Sequence, residues 1–92
     1  MGDFMSDLNS VLIEGTVIND IETIDNTLCQ FVVESKRYLK NKDVETTQIS
    51  VEIGSNFDIC MKISKGRKVR IVGRLKQVLD KIVIVTEHIE LK

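Results

Sequence analysis

The feature that most constrains this chain is a series of short runs rich in β-branched residues, separated by turn residues, with a single helical window among them. Ser10–Ile18 (SVLIEGTVI), Thr27–Ser35 (TLCQFVVES), Val44–Ile53 (VETTQISVEI), Arg67–Lys76 (RKVRIVGRLK) and Ile82–Leu91 (IVIVTEHIEL) each read as a strand. In the second run Cys29, Phe31, Val33 and Ser35 share a small apolar face and are expected to point into the core. In the fourth, Val69, Ile71 and Leu75 share one face, and Lys68, Arg70, Val72, Arg74 and Lys76 the other. Gly15 and Gly73 sit inside strands, where glycine marks a bulge or a sharp bend. Asn19–Asn26 is a polar connector with weak strand character at Ile21 and Ile24.

Ser55–Ser64 is the helical window. Ser55 can cap it with Asp58 three residues on, Phe57, Cys60, Met61 and Ser64 recur at helical spacing, and Gly66 is a stop signal. The order is therefore β-β-β-α-β-β. That order predicts an all-β fold with one helix: the five-stranded Greek-key barrel of the OB-fold. Residues 10–92 are expected to form this single domain, with Met1–Asn9 as a flexible lead-in.

At 92 residues there is room for one core, and 42% hydrophobic residues suffice to build it. No apolar run approaches the ~18–20 residues that span a bilayer, so no membrane partner is expected and the expected compartment is the cytoplasm. Cys29 and Cys60 are too few for a disulfide framework or a zinc site, and His88 is the only histidine. No metal or cofactor is expected. Neither a nucleophile–base spacing nor a phosphate-cradling glycine loop is present, so the chain does not read as an enzyme.

Charge is where the chain is distinctive. The formal net charge is −1, yet residues 1–35 hold seven acidic and no basic residues, while residues 36–76 hold eleven basic against four acidic. Such polarisation gives a neutral chain a basic surface. Lys36, Arg37, Lys40 and Lys42 lie within seven residues around Tyr38. Cations so spaced suit phosphates, and an aromatic ring among them suits a base face. Lys68, Arg70, Arg74 and Lys76 form a second basic row on one strand face.

NSVLIEGTVIND near the start, FVVESKRYLKNKD, and VEIGSNFDICMKISKGRKVRIVGRL together resemble bacterial single-stranded DNA-binding protein over roughly residues 8–76. CQFVVES and the ending EHIELK more weakly resemble primosomal replication protein B. The resemblance implies sequence-tolerant binding of single-stranded DNA in replication, repair or recombination, with replication or repair proteins as further partners. It places Tyr38 at a stacking position and puts the non-aromatic Thr47 and Ile53 at two others. It implies a homodimer or homotetramer in which the first strand pairs with its twin, through Ser10, Val11, Leu12, Ile13 and Glu14. In that family the Lys68–Lys76 face can lie where two dimers meet, with Glu14 and Glu22 as candidate counter-charges. The alternative reading is an OB-fold module that binds protein, with little or no affinity for nucleic acid.

Overall fold

A computed structural model describes residues 7–25, 27–54 and 58–92. Among these residues there are six strands: β1 (Val11–Val17), β2 (Glu22–Asp25), β3 (Leu28–Tyr38), β4 (Val44–Gly54), β5 (Lys68–Val78) and β6 (Lys81–Leu91). Five of them close a barrel in the order β1-β5-β6-β4-β3, and β3 returns to β1. All pairings are antiparallel except β4 with β6, which runs parallel. This closed arrangement is consistent with the OB-fold. β2 lies on the free edge of β3 and is the segment the sequence shows only as Ile21 and Ile24.

The alternation in β3 holds at Cys29, Phe31 and Val33, which are buried while Leu28, Gln30, Val32 and Glu34 are half-buried; Ser35, expected on the inward face, is only half-buried. The three buried residues meet Val17, Val51, Ile53, Cys60, Ile63, Val69, Ile71, Ile84 and Ile89 in one aliphatic core, with Phe31 its only aromatic ring among the described residues. Leu75 shares the inward side of β5 but lies beyond the barrel and is 41% exposed.

Both mid-strand glycines are dictated by close approach. A Cβ on Gly15 would run into the backbone carbonyl of Glu34, where β1 crosses to β3 through only two paired positions, Thr16 with Glu34 and Val17 with Val33. A Cβ on Gly73 would meet the carbonyl of Val85, at the bulge between Val72 and Gly73. The seam is tightened by Gly66 donating to the Val17 carbonyl at 2.7 Å and Val17 donating to that of Arg67 at 2.9 Å. Gly66 sits at φ +93°, a conformation that suits glycine.

The expected helix over Ser55–Ser64 is corrected. Between β4 and β5 the described residues form only a five-residue 3-10 helix, Asp58–Lys62, and Ser55 and Phe57 lie outside the described residues. Among the described side chains here the buried ones, Cys60 and Ile63, are three apart. That spacing eclipses in a 3-10 turn and anchors one short side, leaving Met61 and Lys62 in solvent. Asn9, expected in the lead-in, is held at its side chain by the backbone of Leu75, donating at 2.8 Å and accepting at 2.9 Å.

Two elements of the fold carry testable costs. Gly15→Ala and Gly73→Ala are each expected to destabilise by about 2–3 kcal/mol or more, since the methyl meets backbone that has nowhere to move. Leu79 is the mirror case. It occupies the β5–β6 turn at φ +59°, where asparagine or glycine is favoured. Leu79→Asn is expected to stabilise by about 0.5–1 kcal/mol in chemical denaturation.

The thiol of Cys60 is pushed up to about 11 by burial and by contact with Cys29. A thiol whose pKa is higher folded than unfolded keeps its proton in the native state while the unfolded chain loses it. Stability is therefore expected to be flat below pH ~9 and to fall between pH ~9 and ~11. Cys60→Ala should remove most of that slope in urea titrations at stepped pH.

Candidate nucleic-acid interface

β3 follows β1 only as far as Glu34 and then leaves the barrel with β4 as a two-stranded arm. Lys36, Arg37 and Tyr38 are the last residues of β3, paired with Thr46, Glu45 and Val44. The turn follows them. Leu39 donates to the Asp43 carbonyl at 2.9 Å, Lys42 donates to that of Leu39 at 3.0 Å with φ +73°, and Asn41 bonds the Asp43 carboxylate at 2.8 Å. Lys40 and Lys42 stand in that turn, exposed.

Alternation along the arm divides the basic cluster. Lys36 and Tyr38 project to one side, over a cleft of about 410 Å³ that they line with Glu14, Thr16, Ile18, Glu34 and Lys68. Arg37 projects to the other side, with Glu45 opposite and Thr47 next along. Tyr38 is 76% exposed, with its ring free of the core. Thr47 therefore cannot form one surface with Tyr38. Ile53, at the other position matched to a stacking residue, is buried in the core at 1% exposure.

The second basic row is not uniformly free. Arg70 is held by Glu14, with Nε at 3.0 Å and Nη2 at 2.9 Å from one carboxylate oxygen, and by Glu90 at 4.0 Å. Lys92 also reaches Glu14, at 3.8 Å. The Arg70 hydrogen bond holds the Glu14 carboxyl below its ordinary range, so it stays ionised. Glu14 thus meets its counter-charge within the chain. Lys76 lies 3.7 Å from Glu52, a carboxylate that β4 buries. Lys36 lies 3.8 Å from Glu34, which also accepts from Gln48 at 2.9 Å. Among the described residues Arg37, Lys40, Lys42, Lys68 and Arg74 make no ion pair. Lys68 joins the arm cleft, while Arg74 stands six residues further along β5, on the order of 20 Å away.

Residues Val11–Glu14 pair with β5 on one edge only, since β3 takes the other edge of β1 just at Thr16 and Val17. Leu12 on this stretch is 68% exposed.

With this geometry in hand, similarity to known proteins can be stated. No protein-family model matches the chain, and no curated protein sequence matches it. Solved structures do. A small single-stranded DNA-binding protein from Streptomyces coelicolor superposes with a TM-score of 0.79 at 16% identity, over 95% of this chain and 96% of that one. One from Mycoplasma pneumoniae gives 0.71 at 18% identity, over 91% and 93%. The dimeric N-terminal domain of the PriB protein from Thermoanaerobacter tencongensis gives 0.70 at 20% identity, over 91% and 96%. The chain shares their fold. At these identities the likeness is one of architecture, and which residues act must be argued from this chain.

Sequence reasoning found the arm's residues but missed their division between two sides. Counting parity from buried Phe31 and Val33 puts Lys36 and Tyr38 on the outer face and Arg37 on the other. It also missed that Glu52, an acidic residue in an apolar strand, takes Lys76 as its partner. Lys76→Met is expected to lower stability by about 1–2 kcal/mol by leaving a buried carboxylate alone, whereas Lys68→Met should leave stability within about 0.5 kcal/mol; thermal unfolding of both variants checks this.

Proposed function

We propose that this chain binds single-stranded DNA with little regard for base identity, in replication, repair or recombination, and has no catalytic step. The observation that carries this reading is the β3–β4 arm. It extends a 76% exposed Tyr38 between Lys36 and the unpaired cations Arg37, Lys40 and Lys42, with Lys68 across the cleft. The neighbours with this fold include proteins described as single-stranded DNA-binding. Tyr38 supplies one stacking platform and the cations supply phosphate contacts, so electrostatics dominates. Arg74 extends the basic track. Arg70 and Lys76 contribute less, because carboxylates already hold them.

The strand order and the parallel β4–β6 pairing support a Greek-key OB barrel over residues 10–92. Self-association as a homodimer or homotetramer follows from the unpaired edge of Val11–Glu14, an open template for a twin strand. Ser10 to Glu14 would form that contact. No helix among the described residues is long and apolar enough to cross a membrane, and the expected place of action is the cytoplasm, at the nucleoid.

A protein-binding module is the second reading. It is favoured by the lack of any exposed aromatic besides Tyr38 among the described residues. Salt separates the two. With four to six phosphate contacts, the log–log salt slope for an oligothymidine strand should be roughly −3 to −4 per protomer, at ~0.7 per contact. Tyr38→Ala should cost about 1–3 kcal/mol. Charge reversal at Arg37 and Lys40 should weaken all sequences alike, since phosphates carry no base information. No binding at ~50 mM salt would leave the protein-binding reading standing.

A further inference from the structure

The cleft under the arm holds charges that a plain phosphate track would not. Lys68 pairs with Thr16 and Thr16 with Glu34, so β5, β1 and β3 set these three side chains in one row along its floor. Glu14 and Lys36 are the other charged residues of the lining. Two carboxylates therefore face two ammonium groups, and the cleft is formally neutral. A phosphodiester brought inside would be drawn by Lys36 and Lys68 and repelled by Glu14 and Glu34 at similar range. Arg37, Lys40 and Lys42, which make no ion pair among the described residues, do not line the cleft. Phosphates are better held on the arm. The cleft suits the part of a nucleotide that carries donors and acceptors without net charge, which is the base.

The two carboxylates differ in what they have left to offer. Glu14 already takes Arg70 at 2.9 Å and Lys92 at 3.8 Å. Glu34 is held through Oε2, which accepts from the Gln48 amide at 2.9 Å. Its Oε1 has the Lys36 ammonium at 3.8 Å, beyond hydrogen-bond length. A carboxylate has about four lone-pair sites, so Glu34 is an acceptor fixed in direction and not fully used. It is also acceptor-only: it takes an N–H and repels a carbonyl oxygen. Bases divide by that test, because cytosine offers an N4 amine where thymine offers the O4 carbonyl.

We propose that Glu34 selects an amine-bearing base in this cleft, cytosine over thymine, which gives an otherwise sequence-tolerant chain one position of base preference. The inference rests on the single-stranded DNA reading above. Glu34 and Tyr38 lie four residues apart on β3, about 13 Å, too far for one base to touch both. Tyr38 stacks one base, and a neighbouring base enters over Glu34 against Thr16 and Ile18. At about 410 Å³ the cleft is at the small end of ligand pockets, which suits one nucleotide rather than a run of them. Gln48 acts as a positioning residue, since its amide sets where the Glu34 carboxylate points.

The test compares oligodeoxycytidine with oligodeoxyuridine of equal length, titrated with the full chain at ~50 mM salt. The pH is neutral or mildly alkaline, so that cytosine carries no added proton. These strands differ only at the pairing edge of the base, with no methyl group to confuse the comparison. Wild type should bind the cytidine strand about five- to tenfold more tightly, the lower end of what one good base contact discriminates. Oligothymidine should match the uridine strand. Glu34→Gln keeps the shape of the side chain and can donate to O4, so it should bring the ratio within about twofold, mainly by tightening the uridine strand. A carboxylate that acted only by repelling phosphates would, on removal, tighten both strands alike and leave the ratio unchanged. That result overturns the proposal, as does wild type that binds both strands equally. Binding of neither strand would overturn the single-stranded DNA reading and the proposal together.

Discussion

The structure turns on one contact between backbones: β1 passing over β3 where Gly15 faces the carbonyl of Glu34. Closure at this point lets a chain of 92 residues bury Val17, Val33, Val69 and Ile71 almost completely. It also fixes what cannot be buried. β1 and β3 share two paired positions and then diverge, which opens one edge of β1 at Val11–Glu14 and frees β3 to continue outward with β4. The cleft holding Lys36, Tyr38 and Lys68 is the gap left by that divergence. The candidate binding surface is thus a geometric by-product of how tightly the barrel shuts.

Electrostatics then sorts the cations into two kinds. Those on the body of the barrel sit beside carboxylates that the fold itself provides: Arg70 beside Glu14 and Glu90, and Lys76 beside Glu52. Those on the arm and its turn, Arg37, Lys40 and Lys42, project into solvent with no ion pair among the described residues. A cation without a partner gives up less when it meets a phosphate, because no existing pair must be broken first. The polarised sequence supplies both kinds, and the three-dimensional arrangement decides which is which.

The barrel strands were legible because each has one wet and one dry face, and the two-residue period of Phe31, Val33, Val51, Ile53, Val69 and Ile71 reports that directly. The arm was not, because both faces of Lys36–Tyr38 are wet and no period distinguishes a solvated strand from a loop. β2 escaped for the same reason, being exposed at every residue. The short helix was overread: Cys60 and Ile63, three apart, are consistent with several helical pitches, and the chain adopts the tight one over Asp58–Lys62. At the site, the residue types were visible and their pairing was not. Arg70 and Glu14 are 56 residues apart, a distance in sequence that no local pattern bridges.

The pairing of β1 also bears on how the chain is made. β1 is synthesised first, but its longest partner, β5, begins at Lys68 and its seam partner reaches it only through Val33 and Glu34. At ~5–20 residues per second, a ribosome leaves this strand waiting several seconds for β5. During that interval its hydrogen-bonding edges are open to any neighbouring nascent chain. Exchange of β1 between chains growing on one message is the characteristic error this topology invites, and a crowded polysome is the place to look for it.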